Sequence, residues 1–437
     1  MWWQEPGCPQ LVSILNTKSK GTLVWTRKVV THGGAFGGAC LGLVLLISAC
    51  GSSGGSSAKG GSSGEAAPTF TGSPIKIFTI IDSVNVAPTT DGMKAEIGAI
   101  NAKGGIKGRK LELTTCDNQG DANVAAKCAR DAIADPDTIA QVASSNSYGA
   151  AVDPLVEQAG MPGVGVNLQV AADLKSPVIF PKNLGAYNTA AQTAVLADDK
   201  GAKNICLAYY DSPSGASLAT LINSAMLAPR NLKLKTAVPI SPTATDFTAQ
   251  VAALSGCDAV AVALTTDLEI RFVRTARQQG LTTTLALSSS VVTPELLKDQ
   301  LGPLATNLVV VSPYNQEAAA RKSFLDDIAK YNKGGRVDDQ SLGGWFATKL
   351  FADTANNISG DLTRSSLLDA MNKITSYDTG GLTATPLDFT AKSTVLGGTL
   401  PRIFPAIQNV YGYDYGDGSL KALNSNKPVD PFNAPAK

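Results

Sequence analysis

The feature that most constrains this chain is a regular alternation of short β-rich runs with helix-forming segments, which begins at Pro74. Strands are expected at residues 75–81, 109–115, 139–143, 202–210, 232–238, 258–264 and 283–288, and helices at 91–101, 121–134, 150–159, 217–226, 246–254 and 267–279. Strands that alternate with helices form parallel sheets covered on both faces. Because the series occurs twice, we predict two doubly wound α/β lobes. Such sheets bind ligands beyond the carboxyl ends of their strands.

The N-terminal segment has the features of an export signal. Residues 1–49 carry four basic side chains and one acid, and an apolar run with several glycines at 35–49 follows them. This combination is typical of a signal peptide. Ile47-Ser48-Ala49-Cys50 resembles the lipobox of bacterial lipoproteins, which implies cleavage before Cys50 and lipidation of that residue. We therefore predict a signal peptide at 1–49 and, at 50–73, a lipidated cysteine followed by a flexible linker.

Histidine usage excludes several classes of enzyme. The chain has one histidine, His32, and it lies in the segment expected to be removed. Ser-His-Asp and Cys-His catalysis and histidine metal sites are then excluded. Residues 51–55 match G-x-S-x-G, but a Gly/Ser-rich linker cannot supply the strand and helix that a nucleophile elbow needs. We expect a protein that is not an enzyme and has no cofactor and no metal site.

The charge balance also argues against nucleic-acid binding. Lys and Arg total 37 and Asp and Glu total 36, so the net charge is +1. A nucleic-acid-binding domain would normally carry a basic excess, because phosphate contacts dominate its affinity. No nucleic-acid partner is expected.

Four cysteines follow the expected lipidation site, which allows two disulfides in an exported protein. Cys116 and Cys128 are the local pair, at a strand end and on the next helix. Cys206 and Cys257 would form the second bridge if their strands are neighbours. Three pairings are possible, and four buried thiols are the alternative.

The run INAKGGIKGRKLEL (100–113) resembles the first-lobe signature of periplasmic-type solute-binding proteins of the branched-chain amino acid (Leu/Ile/Val) class. ASSNSYGAAVDPLVEQAGMPGVGV (143–166) and LAYYDSPSG (207–215) extend the resemblance, which covers about residues 74–420. It implies the type I periplasmic binding protein fold. The expected lobes are 74–186 plus 314–380 and 187–313 plus 381–437, joined by three crossings near Tyr187, Pro313 and Gly380.

The loops after the first-lobe strands supply the first set of candidate ligand-binding residues. In the family the loop after residue 143 contacts a ligand carboxylate. The first-lobe candidates are Asp82, Ser83, Ser144, Ser145, Asn146, Ser147, Gly165 and Asn167. The alternative for the serines and Asn146 is that they cap the following helix.

The second lobe offers Asp211, Ser214, Thr265, Thr266, Asp267, Ser288, Ser289 and Ser290. Amino-acid binders of the family often have an aromatic residue at the position of Ser214 and a carboxylate near Ser290. This chain has neither, so Asp211 or Asp267 could supply the negative charge, or each could only cap a helix. Trp345 lies on an apolar-faced helix at 342–357, where core packing is its expected role.

The resemblance implies the solute-binding receptor of an ABC importer, anchored by lipid on Cys50 to the outer face of the cytoplasmic membrane. It would bind a small polar solute, an amino acid or a related amide or carboxylate, between the lobes. Its expected partners are this solute and the permease and ATPase subunits, and the expected state is a monomer. The alternative is a sensing or scavenging lipoprotein of the same fold without a permease. A lipid-anchored enzyme is the least favoured hypothesis.

Overall fold

The computed structural model describes residues 68–82, 88–392, 406–423, 425 and 427–435. The predicted signal peptide, the lipidation site Cys50, most of the linker and the candidate Ser83 lie outside these residues. The described residues form two α/β lobes, each built on its own sheet. This confirms the predicted architecture.

The first sheet has five parallel strands in the order β2-β1-β3-β4-β5. They are β1 (Ile75–Ile81), β2 (Leu111–Asp117), β3 (Thr138–Val142), β4 (Gly163–Val166) and β5 (Ile179–Pro181). Ile77, Phe78 and Ile80 of β1 are buried, although successive side chains point to opposite faces. The apolar β-branched run therefore forms a central strand that is covered on both sides.

The second sheet has seven strands in the order β12-β11-β10-β9-β8-β6-β7. They are β6 (Ile205–Tyr210), β7 (Thr236–Ile240), β8 (Ala259–Ala263), β9 (Thr284–Ser288), β10 (Leu308–Ser312), β11 (Asn409–Asp414) and β12 (Ser419–Ala422). β6 to β10 are parallel, whereas β11 pairs antiparallel with β10 and β12. The sequence pattern predicted β6 to β9 but not the parallel strand β10 or the antiparallel strands β11 and β12.

Twelve α-helices cover the two sheets within the described residues. They are α1 (Pro88–Ala102), α2 (Ala122–Ala134), α3 (Gly149–Gln158), α4 (Ala171–Lys175), α5 (Asn188–Asp198), α6 (Pro213–Leu221), α7 (Thr248–Ala253), α8 (Thr266–Gln278), α9 (Pro294–Leu301), α10 (Ala319–Tyr331), α11 (Asp339–Asn357) and α12 (Arg364–Met371). α6 continues as a π-helical turn at Ile222–Leu227. α2 begins where predicted, because the Asp121 carboxylate accepts hydrogen bonds from the backbone N–H groups of Asn123 and Val124.

The chain returns to the first lobe after β10. α10, α11 and α12 contribute to the first-lobe core, where Trp345 is 2% exposed and donates to Asp327 at 2.8 Å. The predicted core role of Trp345 is therefore confirmed. Leu387 and Phe389 lie beyond Gly380, where the sequence placed the third crossing, and they pack in the same core. The first lobe extends at least to Phe389.

Two of the crossings between the lobes are bonded to each other. Asn183 follows β5 and Tyr314 follows β10, and the Asn183 side-chain amide donates to the Tyr314 hydroxyl at 3.0 Å. Both residues are buried. The chain reaches the second lobe for the last time between Phe389 and β11, and residues 393–405 lie outside the described residues.

Both predicted disulfides are present. Cys116 at the end of β2 is bonded to Cys128 on α2, with 5.9 Å between their Cα atoms. Cys206 on β6 is bonded to Cys257 just before β8, with 6.0 Å between their Cα atoms. β6 and β8 are neighbours in the sheet, which was the condition for the second bridge.

Candidate ligand-binding site

The loops that follow β1, β3 and β4 are bonded together at the carboxyl edge of the first sheet. The Ser144 hydroxyl accepts a hydrogen bond from the Ile80 N–H at 2.9 Å, and the Ser145 N–H donates to the Ile80 carbonyl at 3.0 Å. The Asn167 N–H donates to the Ser144 carbonyl at 2.9 Å. Backbone contacts thus bring three separate candidate segments to one place.

Polar side chains in these loops contact one another. The Ser145 hydroxyl accepts from the amides of Asn167 at 3.3 Å and Gln169 at 3.1 Å. The Ser147 hydroxyl donates to the Asp82 carboxylate at 2.8 Å. The sequence analysis missed Gln169, although it lies only two residues after Asn167 in the same loop. Hydroxyl, amide and carboxylate groups are therefore concentrated at the edge where doubly wound sheets bind ligands.

Asn146 has a different environment from its neighbours. Its side-chain oxygen accepts from the Asn118 amide at 2.9 Å and from the Tyr148 N–H at 3.2 Å. The bond from Asn118 ties the loop after β3 to the loop after β2, and the bond from Tyr148 lies within the loop after β3. The residue at the N-cap of α3 is Tyr148, which forms no side-chain capping bond. The capping alternative for Ser144–Ser147 therefore does not describe this helix.

Gly165 is required by packing. Its φ is +61°, and a Cβ atom built on it would lie 2.3 Å from the Cβ of Ala347 on α11. Its carbonyl accepts from the ammonium group of Lys182 at 2.9 Å. Burial lowers the pKa of Lys182 to about 7. Lys182, which the sequence analysis did not single out, links the end of β5 to the strand that leads to Asn167.

A pair of buried carboxyl groups supports the loop that carries Asn167 and Gln169. The Asp173 carboxylate accepts from the backbone N–H groups of Gln169 at 2.6 Å and Val170 at 3.0 Å. Asp153 on α3 is buried beside Asp173, and burial, reinforced by the neighbouring Asp173 carboxyl, raises the pKa of Asp153 far above its ordinary value. Asp153 is therefore held as the neutral acid at neutral pH.

The second lobe places hydroxyl groups after β9. The hydroxyls of Ser288 and Ser290 lie 2.7 Å apart. The Ser289 side chain is buried, and its N–H donates to the Val311 carbonyl at 3.0 Å. The Thr266 hydroxyl donates to the Val291 carbonyl at 3.1 Å, which ties the loop after β8 to the loop after β9.

A glutamine side chain connects the two lobes. The side-chain amide of Gln340, at the start of α11 in the first lobe, donates to the Ser290 carbonyl in the second lobe at 2.6 Å. The sequence analysis did not identify Gln340. Nothing in the local pattern distinguishes it from a solvent-facing residue, because its role depends on the approach of the other lobe.

The predicted acids of the second lobe occupy exposed positions. Asp267 is 82% exposed and pairs with Arg271 at 2.9 Å. Asp211 is also exposed, and Ser212 rather than Asp211 caps α6. Ser214 lies in the first turn of α6, and Thr265 stands at the N-cap of α8 without a side-chain capping bond.

The buried acid of this region is Glu269, in the first turn of α8. Burial raises the pKa of Glu269 well above its ordinary value. The amphipathic spacing of α8 places this side chain on the covered face, but the sequence analysis considered only the preceding Asp267. Among the described residues there is no group of three or more His, Cys, Asp or Glu side chains able to hold a metal ion. Within the same residues, no helix is long and apolar enough to cross a membrane.

Two α/β lobes, joined by crossing segments and with polar loops at the carboxyl edges of both sheets, define a two-lobed binding protein of the type I periplasmic fold. A family model described as periplasmic binding protein matches residues 84–396. The chain therefore belongs to the periplasmic binding protein family, and the predicted resemblance is confirmed.

Solved structures share this fold at low sequence identity. A substrate-binding periplasmic protein from Ralstonia solanacearum is 17% identical, with a TM-score of 0.67 over 80% of this chain and 99% of the other. A fatty acid ABC transporter substrate-binding protein from Thermomonospora curvata is 19% identical, with a TM-score of 0.68 over 83% and 94%. The branched-chain amino acid transporter substrate-binding protein LivJ from Streptococcus pneumoniae, in complex with isoleucine, is 18% identical, with a TM-score of 0.62 over 82% and 100%. No curated protein sequence matches the chain.

Proposed function

We propose that the chain is the extracytoplasmic, lipid-anchored solute receptor of an ABC importer, and that it binds a small polar solute between its lobes. Family membership supports a binding protein, and neighbours described as ABC transporter substrate-binding proteins support the importer assignment. The lipobox-like sequence before Cys50 supports the anchor. The receptor acts as a monomer on the outer face of the cytoplasmic membrane and delivers solute to permease and ATPase subunits.

The observation that carries this proposal is the hydrogen bond between Gln340 and Ser290. It joins the first lobe to the loop after β9, which also carries the hydroxyls of Ser288 and Ser290. A ligand that contacts both loop sets would favour the closed arrangement of the lobes, because it gains contacts that the open arrangement lacks. The arrangement supports capture of a solute by closure.

The chemistry of the loops favours a ligand rich in hydrogen-bonding groups. Hydroxyl groups are supplied by Ser145 and Ser147, and side-chain amides by Asn167 and Gln169. A carboxylate is supplied by Asp82. We therefore propose an amino acid or a related amide or carboxylate as the solute. The candidate residues of both lobes, from Asp82 to Ser290, remain proposed ligand contacts.

The proposal is tested by a thermal-shift screen of the mature, processed protein. The panel contains amino acids, amides and small carboxylates, with fatty acids as a separate arm because one neighbour is described as a fatty acid receptor. A ligand at 100 times its Kd adds about 2.7 kcal/mol to the free energy of unfolding. A raised midpoint within one polar class, reproduced by calorimetry, is the expected result.

Other results would change the assignment in defined ways. Stabilisation by fatty acids alone would contradict the polar solute. The protein could instead be folded and free of carried-over ligand and still show no change in midpoint. That result would contradict binding of any solute in the panel. Loss of solute uptake when the gene is deleted separates the importer from a sensing or scavenging lipoprotein, for which uptake would be unchanged.

A further inference from the structure

We propose that the α1–β2 loop, residues 103–110, is a membrane-facing surface that binds anionic lipid headgroups and holds the ligand-binding edge away from the bilayer. The inference depends on the proposed lipid anchor at Cys50. It goes beyond the receptor assignment because it names which end of the molecule contacts the membrane. Three features of the described residues carry it.

The first feature is position. The loop precedes β2 and lies at the amino edge of the first sheet, where the Ile75 N–H donates to the Lys110 carbonyl at 2.8 Å. β1 runs seven residues from that edge to Ile81. At about 3.3 Å per residue, this places the polar loops of the carboxyl edge roughly 20 Å away. A membrane that contacts the basic loop therefore leaves the cleft facing the opposite direction.

The second feature is charge. The loop carries Lys103, Lys107, Arg109 and Lys110 and has no acid. The three lysines are exposed. Lys110 pairs with Glu112 at 3.0 Å, and Arg109 approaches Asp137 at 3.9 Å.

These ion pairs leave a local excess of positive charge on the surface of the loop. Among the described residues, Lys107 donates to the neutral carbonyls of Ile358 and Gly360, which hold the loop against the end of α11 without cancelling its charge. Lys103 forms no ion pair within the described residues. The exposed ammonium group of Lys103 is therefore available to lipid phosphates, and Lys107 adds positive charge to the same surface.

The third feature is the segment through which the chain passes from the linker into the first lobe. The Thr71 N–H donates to the Gly108 carbonyl at 2.8 Å, and the Arg109 guanidinium donates to the Ser73 carbonyl at 2.7 Å. The Phe70 ring lies against Gly105, where an added Cβ would be 3.2 Å away. The segment that arrives from the linker is thus fixed to the basic loop itself.

The length of the linker keeps this loop close to the anchor. Eighteen residues lead from Cys50 to Pro68. Eighteen residues can span at most about 65 Å, so the covalent connection limits how far the loop can lie from the anchor. Electrostatic attraction acts within about 8 Å at physiological salt, and each lysine that reaches an anionic surface adds roughly a factor of five in affinity. The anchor supplies proximity, and the basic loop then sets orientation.

The experiment measures the approach of the loop to the membrane in the lipidated, mature protein. An environment-sensitive dye is attached at Ala102→Cys, an exposed position beside the loop, and in a second preparation at Ala253→Cys, an exposed position on α7 of the second lobe. Each protein is reconstituted in vesicles of phosphatidylcholine alone or with about one-third phosphatidylglycerol. Quenching by a headgroup-attached quencher reports proximity, and co-flotation with vesicles reports anchoring.

We expect the dye at Ala102→Cys to be quenched at least twofold more in vesicles with phosphatidylglycerol, and the difference to shrink as salt is raised. The paired substitutions Lys103→Glu and Lys110→Glu should abolish the difference. The matched control, Lys203→Glu with Lys233→Glu on exposed positions of the second lobe, should preserve it. The dye at Ala253→Cys should respond to neither lipid.

Three results would overturn the inference. The first is equal quenching in both lipids, or a lipid difference that remains after the loop substitutions in protein with an unchanged thermal midpoint. Either observation would show that the loop does not bind anionic headgroups. Stronger quenching at Ala253→Cys would show that the second lobe faces the membrane. Protein that does not float with either vesicle would contradict the lipid anchor and the orientation together, whereas the first two results leave the receptor assignment intact.

Discussion

Gln340 on α11 and Ser290 after β9 are joined across the two lobes by a hydrogen bond of 2.6 Å from a side-chain amide to a backbone carbonyl. Neighbouring hydrogen bonds hold both Gln340 and Ser290 in place. Asp338 caps α11 through the Ser341 N–H, and the hydroxyls of Ser288 and Ser290 contact each other on the opposite side. The bond is specific to the arrangement in which the lobes approach, so its removal should act on closure rather than on the folding of either lobe.

The first prediction concerns this bond. Gln340→Ala should destabilise the closed arrangement by about 1 kcal/mol, the usual net value of a hydrogen bond, and weaken solute affinity roughly fivefold. Calorimetry measures the affinity, and small-angle scattering with and without solute measures closure. The matched control is Gln279→Ala, which removes a glutamine bond to Thr248 within the second lobe and should leave affinity unchanged. Equal affinity in Gln340→Ala and the unmodified protein would contradict the closure role.

The second prediction separates two adjacent residues of the loop after β3. Ser145→Ala should weaken solute affinity by roughly a factor of five with little change in thermal midpoint, because its hydroxyl contacts only other polar loop groups. Asn146→Ala should instead lower the free energy of unfolding by about 1–3 kcal/mol, because it removes one buried and one partly buried hydrogen bond. Titration calorimetry measures the affinity of both variants, and thermal unfolding measures their stability. A fall in thermal midpoint for Ser145→Ala alone would contradict the assigned roles of the two residues.

The third prediction concerns the pH dependence of stability. The pKa of Asp153 is raised in the folded protein, whereas the unfolded chain has the ordinary carboxyl pKa of about 4. At pH values between these two pKa values, folding takes up a proton. The free energy of unfolding therefore falls as pH rises through neutrality. Asp153→Asn should make this slope shallower and stabilise the protein at pH 8 by at least about 1.4 kcal/mol, the equivalent of one pKa unit. A slope of the same sign should remain, because burial also raises the pKa of Glu269. Denaturant unfolding between about pH 5 and 8 measures the slope.

The control for this prediction is Asp131→Asn. Asp131 is an exposed acid on α2 that pairs with Lys127, and its replacement should leave the slope unchanged. If Asp153→Asn unfolds with the same pH dependence as the unmodified protein, Asp153 is not held as the neutral acid in the folded protein.

The fourth prediction compares the disulfides. The Cys206–Cys257 bridge closes a loop with a sequence separation of 51, whereas Cys116–Cys128 closes one of 12. Loop-closure entropy then assigns about 4 kcal/mol to the first and about 3 kcal/mol to the second. Paired substitution to alanine should cost more at 206 and 257, as measured by denaturant unfolding. Thiol labelling of the denatured, unreduced mature protein should detect no free cysteine among these four, and four reactive thiols would contradict both bridges.

Most of the architecture could be predicted because the relevant signals are local. The β-branched runs at β1 and β8 and the Asp121 cap of α2 specify their elements with little help from the rest of the chain. The β11–β12 hairpin could not be predicted in the same way. Its strands end in Asp414 and begin again at Ser419, and only the edge offered by β10 makes them part of the second sheet.

The candidate site also contains some residues that could be predicted from the sequence and others that could not. Ser145, Ser147 and Asn167 were identified from their position after strands, since the carboxyl ends of parallel strands share one edge. Gln169, Gln340 and Lys182 were missed because their partners are 24, 50 and 17 residues away in the chain. Asp267 was considered instead of Glu269, because the sequence gives the spacing of a helix but not which face the sheet will cover.

The sequence by itself determined the strand and helix alternation, the family and the limited choice of cysteine pairings, because each depends on local periodicity or on the identity of single residues. The tertiary structure decided which polar groups meet, which carboxyl groups lose contact with water and that the first lobe extends beyond Gly380 to Phe389. These properties arise from packing between segments far apart in the chain. Burial and proximity are set only when the lobes and their loops are assembled, and no local pattern encodes them.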